Sequence, residues 1–412
     1  MNGQFGGAVT GCTARRIKNL MLMIALVTLL TGCLAKSKAH DPVFFPPPPE
    51  EPHIQYLTGA TSSLDFGAKQ GSLSKLLVGG AETVTRLAKP YGIAEHKGKI
   101  YVCDTTAGQI VVVDFINKTM KNLIDERGVG KLRKPVSVAV DDEGYVYVAD
   151  TGRKDVAVYN QAGKYVKSFG STFEHVSMIG VAVHGDDLYI LDNRLGKVFV
   201  VNRKTAEVQT VIGDNPDRTK NLSLPNGLTV DSRGMVRVVN VGNGTVKEYD
   251  RDGNMLSVFG RLGDSPGEFT RPRGVAVNDD RMVYVVDGGY QLVQVFDEKH
   301  RILGYFGAPG LPVGSLNLPA GIVVSRENLD FYQKFAAPGF KLREVIFVSN
   351  QYSSPFNHAL AVFGLGEMEG WEQRAAQRAK EDAEVLEKRK KLLQQLRQQP
   401  GQQQQQQQQQ EK

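Results

Sequence analysis

Lys134 to Gly170 reads KPVSVAVDDEGYVYVADTGRKDVAVYNQAGKYVKSFG. A Lys-Pro opening leads into a short apolar strand. An acidic turn ending in Gly follows, then a strand of the form aromatic-Val-x-Asp, then two more strands split by a Gly turn. The same unit recurs along the chain at a period of about 45 residues. Its openings are KPYGIAEH (from Lys89), KPVSVAVD (Lys134), SMIGVAVH (Ser177), LPNGLTVD (Leu224), RPRGVAVN (Arg271) and LPAGIVVS (Leu318). The matching second strands are IYVCDT, VYVADT, LYILDN, VRVVNV, VYVVDG and IFVSNQ. Six copies of several short strands at a fixed period in the 40s predict an all-β chain folded as a six-bladed β-propeller.

Each copy supplies four strands until the sixth, which ends at HALAVFGLG (from His358) with no fourth strand of its own. LSKLLVGG (from Leu73) stands before the first copy and matches the missing piece. The expectation is therefore a propeller over 73–366, its ring closed by an N-terminal strand so that no open seam remains.

The flanks read differently. The chain has 412 residues, 41% hydrophobic and 23% charged, with a formal net charge of +6. Arg15, Arg16 and Lys18 precede an apolar run from Leu20 to Leu30, too short to span a bilayer but suited to a secretory signal. The run ends in Leu30-Thr31-Gly32-Cys33, which resembles the bacterial lipobox. The resemblance implies cleavage after residue 32 and lipidation of Cys33. Residues 33–72 then read as a lipid-anchored linker stiffened by Pro46 to Pro49. Two of the three cysteines, Cys12 and Cys33, lie at or before that cleavage point. Cys103 is left alone at a strand position where sister copies carry Ala149, Leu191 and Val239, so it reads as a core residue.

The repeated Gly-[Val/Ile]-Ala-Val and Tyr-Val-x-Asp-Thr-Gly patterns resemble NHL-repeat proteins. The Asp-Thr-Gly is followed here by Arg153-Lys154-Asp155 rather than the usual Asn-His-Arg. In a four-stranded blade, the entry turn and the turn between strands two and three share one face. That face collects Lys89, Lys134, Arg271 and Arg273 from entry turns, and Arg153, Lys154 and Arg194 from the others. The opposite face collects Asp141, Asp142, Glu143, Asp186, Asp187, Asp231, Asp279 and Asp280. The ring should be polarised, its basic side suited to an acidic protein partner. The recurring Asp104, Asp150, Asp192 and Asp287 read as turn residues that accept backbone N–H bonds, not as a catalytic set.

Copy six carries an insertion, Arg326 to Glu344, holding Phe331, Tyr332 and Phe335. It serves either as a binding loop or as a plug for the channel. Residues 367–399 are rich in helix formers, with a thin apolar stripe through Leu386 and Leu393. Residues 400–412 form a polyglutamine tail expected to be disordered.

These features predict a non-catalytic, lipid-anchored scaffold of the outer membrane that binds other envelope proteins. Resemblance to lipoproteins of this build implies a role beside multihaem cytochromes in extracellular electron transfer. The chain lacks a Cys-x-x-Cys-His haem motif, so no haem of its own is expected, nor any other cofactor. The alternative is a metal-dependent propeller lyase or lactonase with a site in the channel. The residues expected to ring that channel are Tyr91, Val136, Ile179, Asn226, Arg273 and Ala320, a poor cage for a metal ion. A secretory signal argues against nucleic acid as a partner.

Overall fold

A computed structural model describes residues 41–67, 84–124, 128–170, 177–354 and 357–398. Of the two parts into which the chain divides, Met1–Asp41 and Pro42–Lys412, the description concerns the second. The signal, the Cys33 lipobox and the polyglutamine tail lie outside the described residues.

The second strands (Lys99–Asp104, Val146–Asp150, Asp187–Asp192, Val236–Asn240, Val283–Asp287) are buried along nearly their whole length. Both their faces are covered, which explains why they read as continuous apolar runs rather than alternating ones. The outermost strands, such as Met255–Phe259 and Ile302–Phe306, alternate because one face meets water. Each of blades one to five is a four-stranded antiparallel sheet in chain order, starting from inner strands at Pro90, Pro135, Met178, Pro225 and Pro272.

The apolar core is divided among six seams between neighbouring blades. Tyr147, Val158 and Phe169 of blade two meet Val181, Leu188 and Ile190 of blade three. Tyr189 and Leu191 of blade three meet Val236 and Tyr249 of blade four. Cys103 is fully buried in the seam between blades one and two, and burial pushes its thiol pKa well up. It packs as a small apolar residue.

Blade six is where the structure departs from the sequence reading. Its sheet has five strands: Pro319–Ser325, Phe340–Asn350, Leu360–Met368, then Ile54–Ala60 and the short Phe44–Phe45. The ring is closed by an N-terminal strand as expected, but the strand is Ile54–Ala60. Its pairing runs from Ile54 opposite Leu365 to Ala60 opposite Leu360. The proposed closing strand, Leu73–Gly80, lies outside the described residues, and the edge it would have taken is already filled. Residues 44–60 are thus part of the propeller, not of a free linker. The prolines 46–49 make the turn of a hairpin whose strands bury Phe45 and Ile54 against Phe306 and Phe363. Ile54–Ala60 pairs with Leu360–Met368 on one side and with Phe44–Phe45 on the other, which covers the outer edge of blade six.

The insertion forms helix α1 (Leu329–Tyr332) and a 3-10 turn (Gln333–Phe335). It seats on the closing seam. Tyr332 and Phe340, each 1% exposed, pack with Phe115 of blade one and Phe347 of blade six. The Gln55 side chain fixes it by accepting from Ala337 N at 2.9 Å. Helix α2 (Trp371–Gln398) follows the last strand, and Leu386 and Leu393 on it are half exposed. No helix among the described residues is long and apolar enough to cross a membrane.

Candidate functional site

The face that carries the entry turns is organised by the repeated Asp residues. Asp150 is fully buried and accepts four backbone N–H bonds. Two come from the entry turn, Arg133 N at 2.7 Å and Lys134 N at 2.9 Å. Two come from the turn after its own strand, Gly152 N at 2.8 Å and Arg153 N at 3.0 Å. Asp104 and Asp287 do the same, and Asp192 does so with three N–H groups. The carboxylate therefore stitches the two turns of one blade together on one face. Sequence reasoning found the bonds to the following turn and missed those to the entry turn, because the latter residues lie 15 to 17 positions upstream.

This stitching sets where the predicted cations stand. Lys134, Lys154, Arg194 and Arg271 are exposed, and among the described residues no carboxylate lies within ion-pair distance of them. Lys89 is half-buried, its ammonium 5.8 Å from the ring centre of Tyr352. Two members of the predicted set do not belong to the accessible face. Arg153 forms a bidentate pair with Asp155 at 2.9 and 2.8 Å and also donates to the carbonyl oxygens of Val129 and Lys131. Its fork is spent inside its own blade. Arg273 is 8% exposed and lies in the channel. Acids in the loops leading to this face are mostly answered locally: Asp214 by Lys197 at 2.9 Å, Glu268 by Arg261, and Asp217 by capping Thr219.

The predicted acidic face is largely neutralised. Asp141 of blade two pairs with Arg203 of blade three. Asp187 of blade three pairs with Arg251 of blade four, and Asp280 of blade five with Arg326 of blade six at 2.7 Å. Asp231 takes Arg233 and Arg237. The pairs of Asp141, Asp187 and Asp280 tie consecutive blades and act as inter-blade struts, whereas Asp231 is answered within blade four. Asp142 and Glu143 stay exposed. The sequence shows which residues share a face but not which cation from the next blade reaches them.

Of the insertion's predicted binding residues, Tyr332 is core, Phe331 is half-buried against it, and Phe335 is 40% exposed. The insertion fills the seam between blades six and one and leaves Phe335 at the surface.

The mouth of the central channel opens among the starts of the six inner strands. Its lining holds the six residues expected there: Tyr91, Val136, Ile179, Asn226, Arg273 and Ala320. The free space is about 80 Å³. The Arg273 guanidinium sits 5.7 Å from the Tyr91 ring centre, and Asn226 donates to the Tyr91 hydroxyl at 3.4 Å. Burial pulls the Arg273 pKa down from its ordinary value, opposed by the electron-rich Tyr91. Among the described residues no group of three or more His, Cys, Asp or Glu is placed to hold a metal ion.

No protein family's sequence profile matches the chain. Solved structures do resemble it. A gluconolactonase from Xanthomonas campestris is 14% identical at a TM-score of 0.50, covering 80% of this chain and 99% of that one. A virginiamycin B lyase from Staphylococcus aureus is 10% identical at 0.46, covering 68% and 96%. A hydrazine synthase chain from Kuenenia stuttgartiensis is 12% identical at 0.46, covering 69% and 97%. At these identities the likeness concerns the fold alone.

Proposed function

We propose that this protein is a non-catalytic binding scaffold, attached to the outer membrane through lipid on Cys33, that captures an acidic envelope protein on its entry face. The observation that carries this reading is an asymmetry of free charge. The entry face offers Lys134, Lys154, Arg194 and Arg271 exposed and unpaired among the described residues. On the other face most acids are consumed by ion pairs, either within a blade or with the next one. Unpaired cations on a rigid ring raise the encounter rate with an acidic surface and set its orientation. Rim charges of this kind carry specificity more than stability, because water already solvates them.

The lipobox-like Leu30-Thr31-Gly32-Cys33 supports the membrane anchor, and the absence of a Cys-x-x-Cys-His motif leaves electron transfer, if the partner performs it, to that partner. The test is capture from envelope extract by immobilised wild type and by the double variant Lys134→Glu, Arg271→Glu. Retention of one acidic protein should weaken by roughly 10-fold or more in the variant, with the thermal midpoint nearly unchanged. Equal retention by both would overturn the entry face as the docking surface.

A further inference from the structure

Arg273 is the one charged residue among the six that ring the channel mouth. At 8% exposure its guanidinium has lost most of its hydration. A cation in that position ordinarily has a carboxylate beside it. None lies within ion-pair distance among the described residues, and the nearby Asp287 already holds four backbone N–H groups. What remains is the face of Tyr91. Arg273 lines the free space of the channel.

Two further features fit the chain around this side chain. Gly288 follows Asp287 where other blades place Thr105, Thr151, Asn193, Val241 and Gln351. A β-carbon on Gly288 would come within 2.8 Å of Arg273 Nε, so the missing side chain is what gives the arginine room. Asn226 of blade four reaches Tyr91 of blade one across the axis. The Tyr91 hydroxyl accepts from Asn226 and keeps its own proton free to donate.

We infer that the channel mouth is a binding site for a small carboxylate, held by the forked donors of Arg273 beside the Tyr91 hydroxyl. A planar fork matches a planar carboxylate bidentately, and an anion would restore the pairing that burial withholds. Free space of about 80 Å³ admits a group of a few heavy atoms. The carboxylate is either a free short-chain acid or the end of an acidic peptide segment. The inference stands on the channel geometry and not on the partner reading above.

The test titrates acetate and formate into the full-length protein against sodium chloride of equal ionic strength. The unfolding midpoint and the line width of isotope-labelled acetate are followed. Acetate should raise the midpoint by ~2 °C or more and its signal should broaden. Both effects should vanish in Arg273→Gln. Arg273→Lys keeps the charge but loses the fork, and should weaken apparent affinity about 10-fold. It also decides the matter if the glutamine variant fails to fold. A short acidic peptide, compared as free acid and as C-terminal amide, separates the two sources. Displacement of acetate by the free acid alone assigns the site to a chain terminus, and displacement by neither assigns it to a small acid. Equal acetate effects in wild type and both variants, no effect beyond chloride, or a preference for sulfate would overturn the inference.

Discussion

At Asp150 one carboxylate replaces the water that four backbone N–H groups would otherwise need. Three of these donors reach Oδ1 and one reaches Oδ2. Asparagine has one acceptor oxygen, and blade four shows how it is used: Asn240 accepts from Ser223 N, the counterpart of Arg133 N, and turns its amide NH2 to the carbonyl oxygens of Val238 and Thr245. Asp150→Asn should therefore cost about 1 kcal/mol, and Asp150→Ala, which strands buried donors, about 3 kcal/mol. Urea unfolding of the two variants checks this order, and equal losses would show that the carboxylate does not act as a clamp. Glycine works at the same scale. A β-carbon at Gly227 would stand 1.9 Å from the Arg273 carbonyl oxygen of the next inner strand, and one at Gly321 2.4 Å from that of Tyr91. The Pro-x-Gly openings thus record how closely inner strands crowd the axis. Blade two has Ser137 instead, whose hydroxyl accepts from Val181 N of blade three at 3.2 Å.

The element that decides the ring is the strand Ile54–Ala60. It joins the last strand of the chain's propeller and so holds the N-terminal segment to the end of blade six. His358 stands at this junction, packed over Gly59 and hydrogen-bonded through Nδ1 to the Tyr56 hydroxyl at 2.8 Å. Burial pulls its pKa below the ordinary 6.5, partly countered by Asp65. The folded protein thus resists a proton that the unfolded chain accepts near 6.5. This contribution to stability is whole above that pH and is lost as pH falls below it. Between pH 7.5 and 5.5 the wild type should lose roughly 1 kcal/mol more than His358→Gln. Urea midpoints for both proteins at the two pH values measure the difference, and parallel losses would remove His358 from the account.

On the scale of the whole molecule, six apolar seams and a belt of ion-pair struts make the ring rigid, while one face keeps its cations unpaired. Struts such as Asp187–Arg251 are short-range and partly buried, so salt screens them weakly. The free cations act over longer distance and are screened strongly. Raising ionic strength from about 0.05 to 0.5 M should therefore weaken partner capture several-fold while the thermal midpoint stays nearly constant. Surface plasmon resonance and a melting curve on the same samples check it. Capture that ignores salt would point to an apolar contact instead, for which exposed Val129, Leu224 and Tyr352 are among the available groups.

The repeat period, the four-stranded blades, the facing of the turns and the six residues at the channel mouth were all legible in the sequence. Each is a local property repeated at fixed spacing, so one copy predicts the next. The closing strand was not, because two N-terminal segments carry suitable apolar patterns and only the edge of blade six chooses between them. Nor were the roles of Arg153, Arg273 and Tyr332, since the direction in which a side chain reaches is set by the folded backbone around it. Arg153 meets a carboxylate two residues away, Arg273 turns inward over a glycine, and Tyr332 finds Phe115 in another blade. Tertiary packing decided which charges were consumed and which were left for a partner, because ion pairing between blades is set only once the ring has closed.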